Sequence, residues 1–238
     1  MGNSSVKHHY ETARKTGTLN LCDVWLDEFP NKLKELSSLL RHLNLSNNKF
    51  QYLPPLIANF SNLKSLKLDN NRLASLPDEI GKLSKLENLS AAYNRICKLP
   101  ATLSQLQCLK EINLSDNELS TFPMPLCELK HLTIVDLSRN RIREIPDGVG
   151  KMNVTELNLN HNQITTISSE IAKAPKLKIL KLENNQLSLR AVPKALLTES
   201  KVTSLNVNSN LFDVKDFECI DGYDEYMGRY TETKKKMF

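Results

Sequence analysis

Long apolar runs are missing from this 238-residue sequence. No stretch approaches the ~20 consecutive apolar residues that cross a bilayer, and no apolar signal-peptide core opens the chain. Glycine is scarce: there are seven, none in a G-x-G-x-x-G or Walker-type string, so phosphate-cradling loops are lacking. Charge of a single sign is lacking too. The 32 basic and 27 acidic residues are mixed and leave a net +5, which argues against nucleic acid as a partner. Cys22, Cys97, Cys108, Cys127 and Cys219 are odd in number and scattered, so they suggest neither a disulfide framework nor a zinc-type Cys/His spacing. Reduced thiols in a cytosolic protein are expected. The one adjacent histidine pair, His8-His9, has no cysteine near it. No nucleophile motif appears, so the expectation is a chain that is not an enzyme and takes no cofactor or metal.

What the sequence does contain is a repeat. Asn48, Asn71, Asn94, Asn117, Asn140, Asn162, Asn185 and Asn210 follow one another at steps of 23, 23, 23, 23, 22, 23 and 25 residues. Each sits in the frame L-x-x-L-x-L-x-x-N-x-L, as in Leu40, Leu43, Leu45, Asn48, Phe50 and Leu63, Leu66, Leu68, Asn71, Leu73. A fixed period of this size marks a repeat array. The L-x-L piece alternates like a strand, with its leucines on one side. One such strand cannot bury its leucines alone, so coils must stack until they share a core. An Asn amide carries donors and an acceptor together, which suits it to satisfy turning backbone in its own coil and the next. After each of the first five comes an apolar-proline pair: Leu53-Pro54, Leu76-Pro77, Leu99-Pro100, Phe122-Pro123 and Ile145-Pro146. Proline suits a turn onto the outer side, where threes such as Ile80, Leu83, Leu86 predict short helical or 3₁₀ turns.

This pattern resembles the leucine-rich repeat family over residues 19–212, and its L-P-x-x-[IL] part is similar to the intracellular Ras-suppressor and Shoc-type repeats. The resemblance implies an α/β leucine-rich repeat solenoid of about nine repeats. Its curved parallel sheet would be concave, its short helices or 3₁₀ turns convex, and its ends capped by helices. It also implies a protein-protein interaction scaffold, or alternatively an adaptor of a phosphatase or small GTPase.

Departures from the frame carry their own expectations. Ala91 stands where the third leucine belongs, leaving a small void or a closer neighbour. The coil ending at Asn162 is one residue short, Ser168 replaces the proline after Ile167, and the long last interval places extra residues near Leu189–Lys194 on the outer side. A first coil, with Leu19, Leu21, Leu26, Phe29 and Pro30, carries Val24 in place of Asn. Val6, Tyr10 and Ala13 predict a capping helix over 4–16. The spacing of Phe217, Ile220, Tyr223, Met227 and Tyr230 predicts one C-terminal capping helix. The divisions are then 1–18 for a lipidation signal and cap, 19–212 for the solenoid, and 213–238 for the second cap and a basic tail. The start Met1-Gly2-Asn3-Ser4-Ser5-Val6-Lys7 resembles an N-myristoylation signal at Gly2, although Val6 stands where Ser or Thr is usual. It implies a membrane-surface partner at a cytoplasmic face, with Lys7, Arg14, Lys15 or Lys234-Lys235-Lys236 as a second, electrostatic signal. Without the lipid the scaffold would be cytosolic.

Partner contact is expected on the concave face. Tyr93, Arg95, Arg139, Arg141 and His161 break its small-polar pattern, and Ile134 and Ile179 add apolar positions between polar neighbours. They form either a protein-binding patch or a drifting surface. Lys49, Arg72 and Arg95 make a ridge that either welcomes an acidic partner or is a solvated edge. Trp25, the sole tryptophan, is expected to pack against the N-terminal helix. A monomer is expected, with a protein partner of unknown identity.

Overall fold

The computed structural model describes residues 3–235, which form two compact units, one ending at Glu118 and the other beginning at Leu119. Gly2 and Lys236, named above for the membrane, lie outside the described residues.

The first unit opens with α1 (Asn3–Thr16), whose Ala13 is fully buried. Three-residue strands follow at each repeat: β1 (Thr18–Asn20), β2 (His42–Asn44), β3 (Ser65–Lys67), β4 (Asn88–Ser90) and β5 (Glu111–Asn113). They pair in parallel, with Leu19, Leu43, Leu66, Leu89 and Ile112 in register and buried in one stack. Each such side chain contributes roughly 1.5–3 kcal/mol by leaving water. Opposite the strands run 3₁₀ turns at Asn31–Leu36, Pro55–Asn59, Asp78–Lys82 and Ala101–Gln105, which bury Leu33, Ile57, Ile80 and Leu103. Pro30, Pro54, Pro77 and Pro100 precede them in extended backbone, where the missing N–H costs nothing. Ala91 is fully buried within the stack. Coils approach so closely on the 3₁₀ side that a methyl group at Gly81 would run into the Thr102 carbonyl.

The second unit repeats this plan. The strands β6 (Ile134–Asp136), β8 (Glu156–Asn158), β10 (Ile179–Lys181) and β11 (Ser204–Asn206) pair in parallel and stack Val135, Leu157, Leu180 and Leu205 in register. A second, two-stranded sheet joins β7 (Glu144–Ile145) to β9 (Thr166–Ile167), which the repeat frame did not foretell. Its cause is Ser168. Standing where the other coils carry proline, it keeps an N–H and donates it to the Ile145 carbonyl at 2.9 Å. Its hydroxyl accepts from the Glu170 N–H at 3.2 Å and bonds the Asp147 carboxylate, so the serine caps the turn Ser169–Lys173. The extra residues of the last interval form a 3₁₀ turn, Leu189–Ala191, and an outer helix, α2 (Lys194–Thr198).

The eight repeated asparagines are buried or nearly so, and they correct one detail of the expectation. Each reaches its own coil and the preceding one, not the next. Asn94 shows the pattern: its Oδ1 accepts from Leu73 N–H at 3.0 Å, and its Nδ2 donates to Leu68 and Ala91 carbonyls at 3.0 and 3.1 Å. Direction follows from the turn, because the N–H left without a ladder partner lies just after the previous coil's asparagine.

The C-terminal end also departs from expectation. The chain forms two helices, α3 (Val214–Glu218) and α4 (Tyr223–Lys235), and not one. Gly222, at φ +93°, makes the turn between them in a left-handed conformation that side-chain-bearing residues avoid. The apolar spacing continued across this break, which is why it read as one helix. Tyr226 hydroxyl accepts from the Leu205 N–H at 3.0 Å on the outer edge of β11.

Candidate functional site

The first and third side chains of each three-residue strand, on either side of the central apolar residue, face away from the core in rows. The third strand position carries Asn44, Lys67, Ser90 and Asn113 in the first unit, and Asp136, Asn158, Lys181 and Asn206 in the second. Much of this row is occupied with holding the turn. Asn44, Asn113, Asp136, Asn158 and Asn206 each accept, through the side-chain oxygen, from the N–H two residues on at 2.9–3.1 Å. Where the coil carries Ser90, Asp69 of the coil before it accepts from Ala92 N–H at 2.8 Å. Where it carries Lys181, Asn160 accepts from Glu183 N–H at the same distance. This substitution from a neighbouring coil cannot be seen by reading one repeat at a time.

The row before the ladder asparagine has an unusual backbone. Asn47, Asn70, Tyr93 and Asp116, and in the second unit Arg139, His161, Asn184 and Ser209, all have φ between +52° and +56°. Asn and Asp adopt this left-handed region readily; a tyrosine or an arginine does so at a cost of roughly 1–2 kcal/mol. The cause is the turn out of the strand. The N–H groups of Tyr93 and Arg139 are committed to Ser115 and Asn160 carbonyls of the following coils, at 3.0 and 2.9 Å. Tyr93 and Arg139 therefore stand exposed on strained backbone.

Of the residues picked from sequence, Tyr93 and Arg95 belong to the first unit, and Ile134, Arg139, Arg141, His161 and Ile179 to the second. Within the second unit, Ile134 and Ile179 flank Glu156 in register, with Ile134 exposed and Ile179 half-buried. Glu156 accepts an ion pair from Lys181 at 2.6 Å. Arg139 and His161 occupy the same row in successive coils, both exposed. That unit thus gathers two isoleucines, an arginine and a histidine on its strand face.

In the first unit Lys49, Arg72 and Arg95 take the same place in successive coils, with Arg72 and Arg95 exposed and Lys49 half-buried, and Trp25 takes that place in the first coil. Trp25 does not pack against α1: it is 75% exposed, at φ +62°, and the Lys49 ammonium lies 4.9 Å from its ring centroid. The signal was available, because Trp25 stands 24 residues before Lys49, the step that aligns the first coil with the second. The helix is tied to the first coil instead by Arg14, which pairs with Glu35 at 2.5 Å. Cations on the first unit differ in their company. Lys64 and Lys110 both grip Glu87, at 2.9 and 2.6 Å, and hold its carboxyl down at about 2. Lys49, Arg72 and Arg95 have no carboxylate partner among the described residues.

All five cysteines are unpaired, and Cys127 is buried, which pushes its thiol up to about 11. Among the described residues, no cluster of three or more His, Cys, Asp and Glu side chains is arranged to hold a metal, and no helix is long and apolar enough to cross a membrane.

Comparison with known proteins agrees with this geometry. A family pattern described as leucine rich repeat matches residues 38–96, 61–119 and 130–187. A leucine-rich repeat protein of Leptospira interrogans is 31% identical and superposes with a TM-score of 0.74 over 86% of this chain and 58% of its own. TLR13, in a complex with ssRNA13, is 25% identical, with a TM-score of 0.73 over 84% of this chain and 30% of its own. PEPR1 in the PEPR1-AtPEP1 structure is 29% identical, with a TM-score of 0.66 over 76% and 27%. The chain thus spans 58% or less of the length of these three structures. With its stacked three-residue strands, buried asparagine ladder and matched pattern over more than half its length, the chain belongs to the leucine-rich repeat family.

Proposed function

We propose that this chain is a non-catalytic scaffold that binds another protein through its strand faces and is held at the cytoplasmic face of a membrane by a myristoyl group on Gly2. Proteins of this repeat family generally act in protein-protein interaction. The observation that carries the reading for this chain is the backbone at Tyr93 and Arg139. Asn fills the same position at Asn47, Asn70 and Asn184 with less strain, so the exposed tyrosine and arginine are explained by what their side chains do outside the fold. Arg139, His161, Ile134 and Ile179 combine the guanidinium and apolar groups typical of interaction centres.

The substitutions Tyr93→Asn and Arg139→Asn should each raise the unfolding free energy by about 1 kcal/mol, by relieving the left-handed strain, and should together reduce partner capture. Denaturant unfolding and proximity labelling in cells measure the two effects. Raised stability with an unchanged set of captured proteins would reject the strand face as the binding surface.

The lipid reading rests on the Gly2 start. One myristoyl chain binds membranes only marginally, with a constant on the order of 10⁴ M⁻¹, so a second contact is needed. Co-expression with a myristoyl transferase should add one acyl mass to the wild type and none to Gly2→Ala. An unmodified wild type leaves the scaffold cytosolic.

A further inference from the structure

Trp25, Lys49, Arg72 and Arg95 form a second candidate surface, on the first unit. We propose that it docks an acidic protein segment, with carboxylates over the three cations and an apolar side chain against the indole. The proposal shares with the reading above only the premise that the chain binds proteins.

Stacking of the row is fixed by the backbone. Lys49 N–H donates to Leu26 carbonyl at 2.6 Å, Arg72 N–H to Phe50 carbonyl at 2.9 Å, and Arg95 N–H to Leu73 carbonyl at 2.9 Å. Each ridge residue is therefore held one coil above the last, about 4.8 Å apart. Three like charges at that spacing repel, and none of the three forms an ion pair with a carboxylate among the described residues, although Asp23 lines the cleft beside Lys49 and Arg72 and Glu118 takes the next place in the row after Arg95. A partner bearing opposite charge removes the repulsion. A helix presenting glutamates at i, i+3 or i+4 sets them about 5–6 Å apart, close to the coil spacing. At the first end, Asp23, Trp25, Lys49 and Arg72 border a shallow cleft of about 290 Å³. The indole there is exposed and the cleft is open, which suits an anchor side chain from outside.

The same geometry argues against an anionic bilayer. Asp23 shares the cleft, and Asp27 and Glu28, both exposed, follow Trp25 after Leu26. A uniformly negative lipid surface would press against these carboxylates. A peptide can place its acids over Lys49, Arg72 and Arg95 and leave the aspartates to water.

Trp25 is the only tryptophan, so its fluorescence reports directly on this surface. Titration of the full chain with a helical peptide bearing a glutamate stripe and a terminal leucine should shift the emission and saturate. Affinity should fall at least ~10-fold in K49E/R72E/R95E and ~10-fold on raising the salt. The triple variant K32E/K34E/K82E, an equal charge change on the 3₁₀ side, should bind as wild type, as should R139E/H161E. Circular dichroism confirms that each variant is folded. An equal response to the glutamine version of the peptide, or undiminished binding by K49E/R72E/R95E, overturns the proposal. So does a response to phosphatidylserine vesicles with none to the peptide. Because R139E/H161E tests the strand face and K49E/R72E/R95E the ridge, failure of one reading is told apart from failure of the other.

Discussion

Replacing Asn94 by alanine should lower the unfolding free energy of the chain by about 2–4 kcal/mol, and replacing it by aspartate should cost more at neutral pH. The hydrogen bonds explain both. Leu73 N–H has Asn94 Oδ1 as its partner, so alanine leaves that buried donor unsatisfied. The carbonyls fare better, because each is shared by two rungs. Leu68 carbonyl accepts from Asn71 and Asn94, and Ala91 carbonyl from Asn94 and Asn117, all at 2.9–3.1 Å. Alanine weakens these and orphans neither. An aspartate could still accept from Leu73, but it would point a second acceptor at two carbonyl oxygens. Its carboxyl would therefore prefer to keep its proton, with a folded pKa above the unfolded value near 3.9. Stability held by that proton is present below the unfolded pKa and lost as pH rises through the folded one. Asn94→Asp should accordingly recover at acid pH, relative to wild type, while Asn94→Ala should not. Urea unfolding at two pH values, with amide exchange read at Leu73, distinguishes these outcomes; equal loss for both variants at every pH would mean that the carboxylate meets no repulsion from the two carbonyls and that the Leu73 acceptor adds nothing, which overturns this account.

The period itself made the core legible. Leu43, Leu66, Leu89 and Ile112 each occupy the same place in a repeated frame, and the physics of burial leaves only one side for them to face. The asparagine ladder was legible for the same reason, except for its direction, which depends on which backbone group the turn strands. Features that belong to a single coil were harder to read. Ser168 shows in the sequence as a missing proline, yet the two-stranded sheet follows only once its N–H lies opposite Ile145 carbonyl. Polar residues on the strand face misled in the opposite sense. The side-chain oxygens of Asn44, Asn113 and Asn158 are tied to the turn, so less of that face is available for recognition than its polar pattern implies. Trp25 was misplaced because a lone tryptophan ordinarily seeks burial. The first coil has only one neighbour and no asparagine rung, so its turn closes differently, with Asp23 and Trp25 both at positive φ.

Arg229→Met should cost about 2–3 kcal/mol and unfasten the C-terminal cap. Its guanidinium donates to the carbonyls of Leu197, Val202 and Leu196, at 2.5, 3.2 and 3.5 Å. The carbonyls of Leu196 and Leu197 lie in the last turn of α2, whose final carbonyls lack helical partners, and Val202 leads into β11. One planar fork thus ties the last outer helix, the last strand and α4 together. Burial lowers the guanidinium pKa, but arginine starts so high that it stays charged at neutral pH. Methionine keeps the apolar stem and removes only the donors, so the loss measures the hydrogen bonds and not the packing. Lysine should recover only part of it, since a single ammonium cannot span three carbonyls in fork geometry. Once α4 loosens, the Tyr226 hydroxyl leaves Leu205 N–H, and β11 presents an open edge of the kind that recruits other strands. Concentration-dependent association of Arg229→Met, seen by light scattering below its unfolding midpoint, is the expected consequence. A variant that stays monodisperse and loses less than ~0.5 kcal/mol would mean that packing of Phe217 and Tyr226 closes the stack without the arginine.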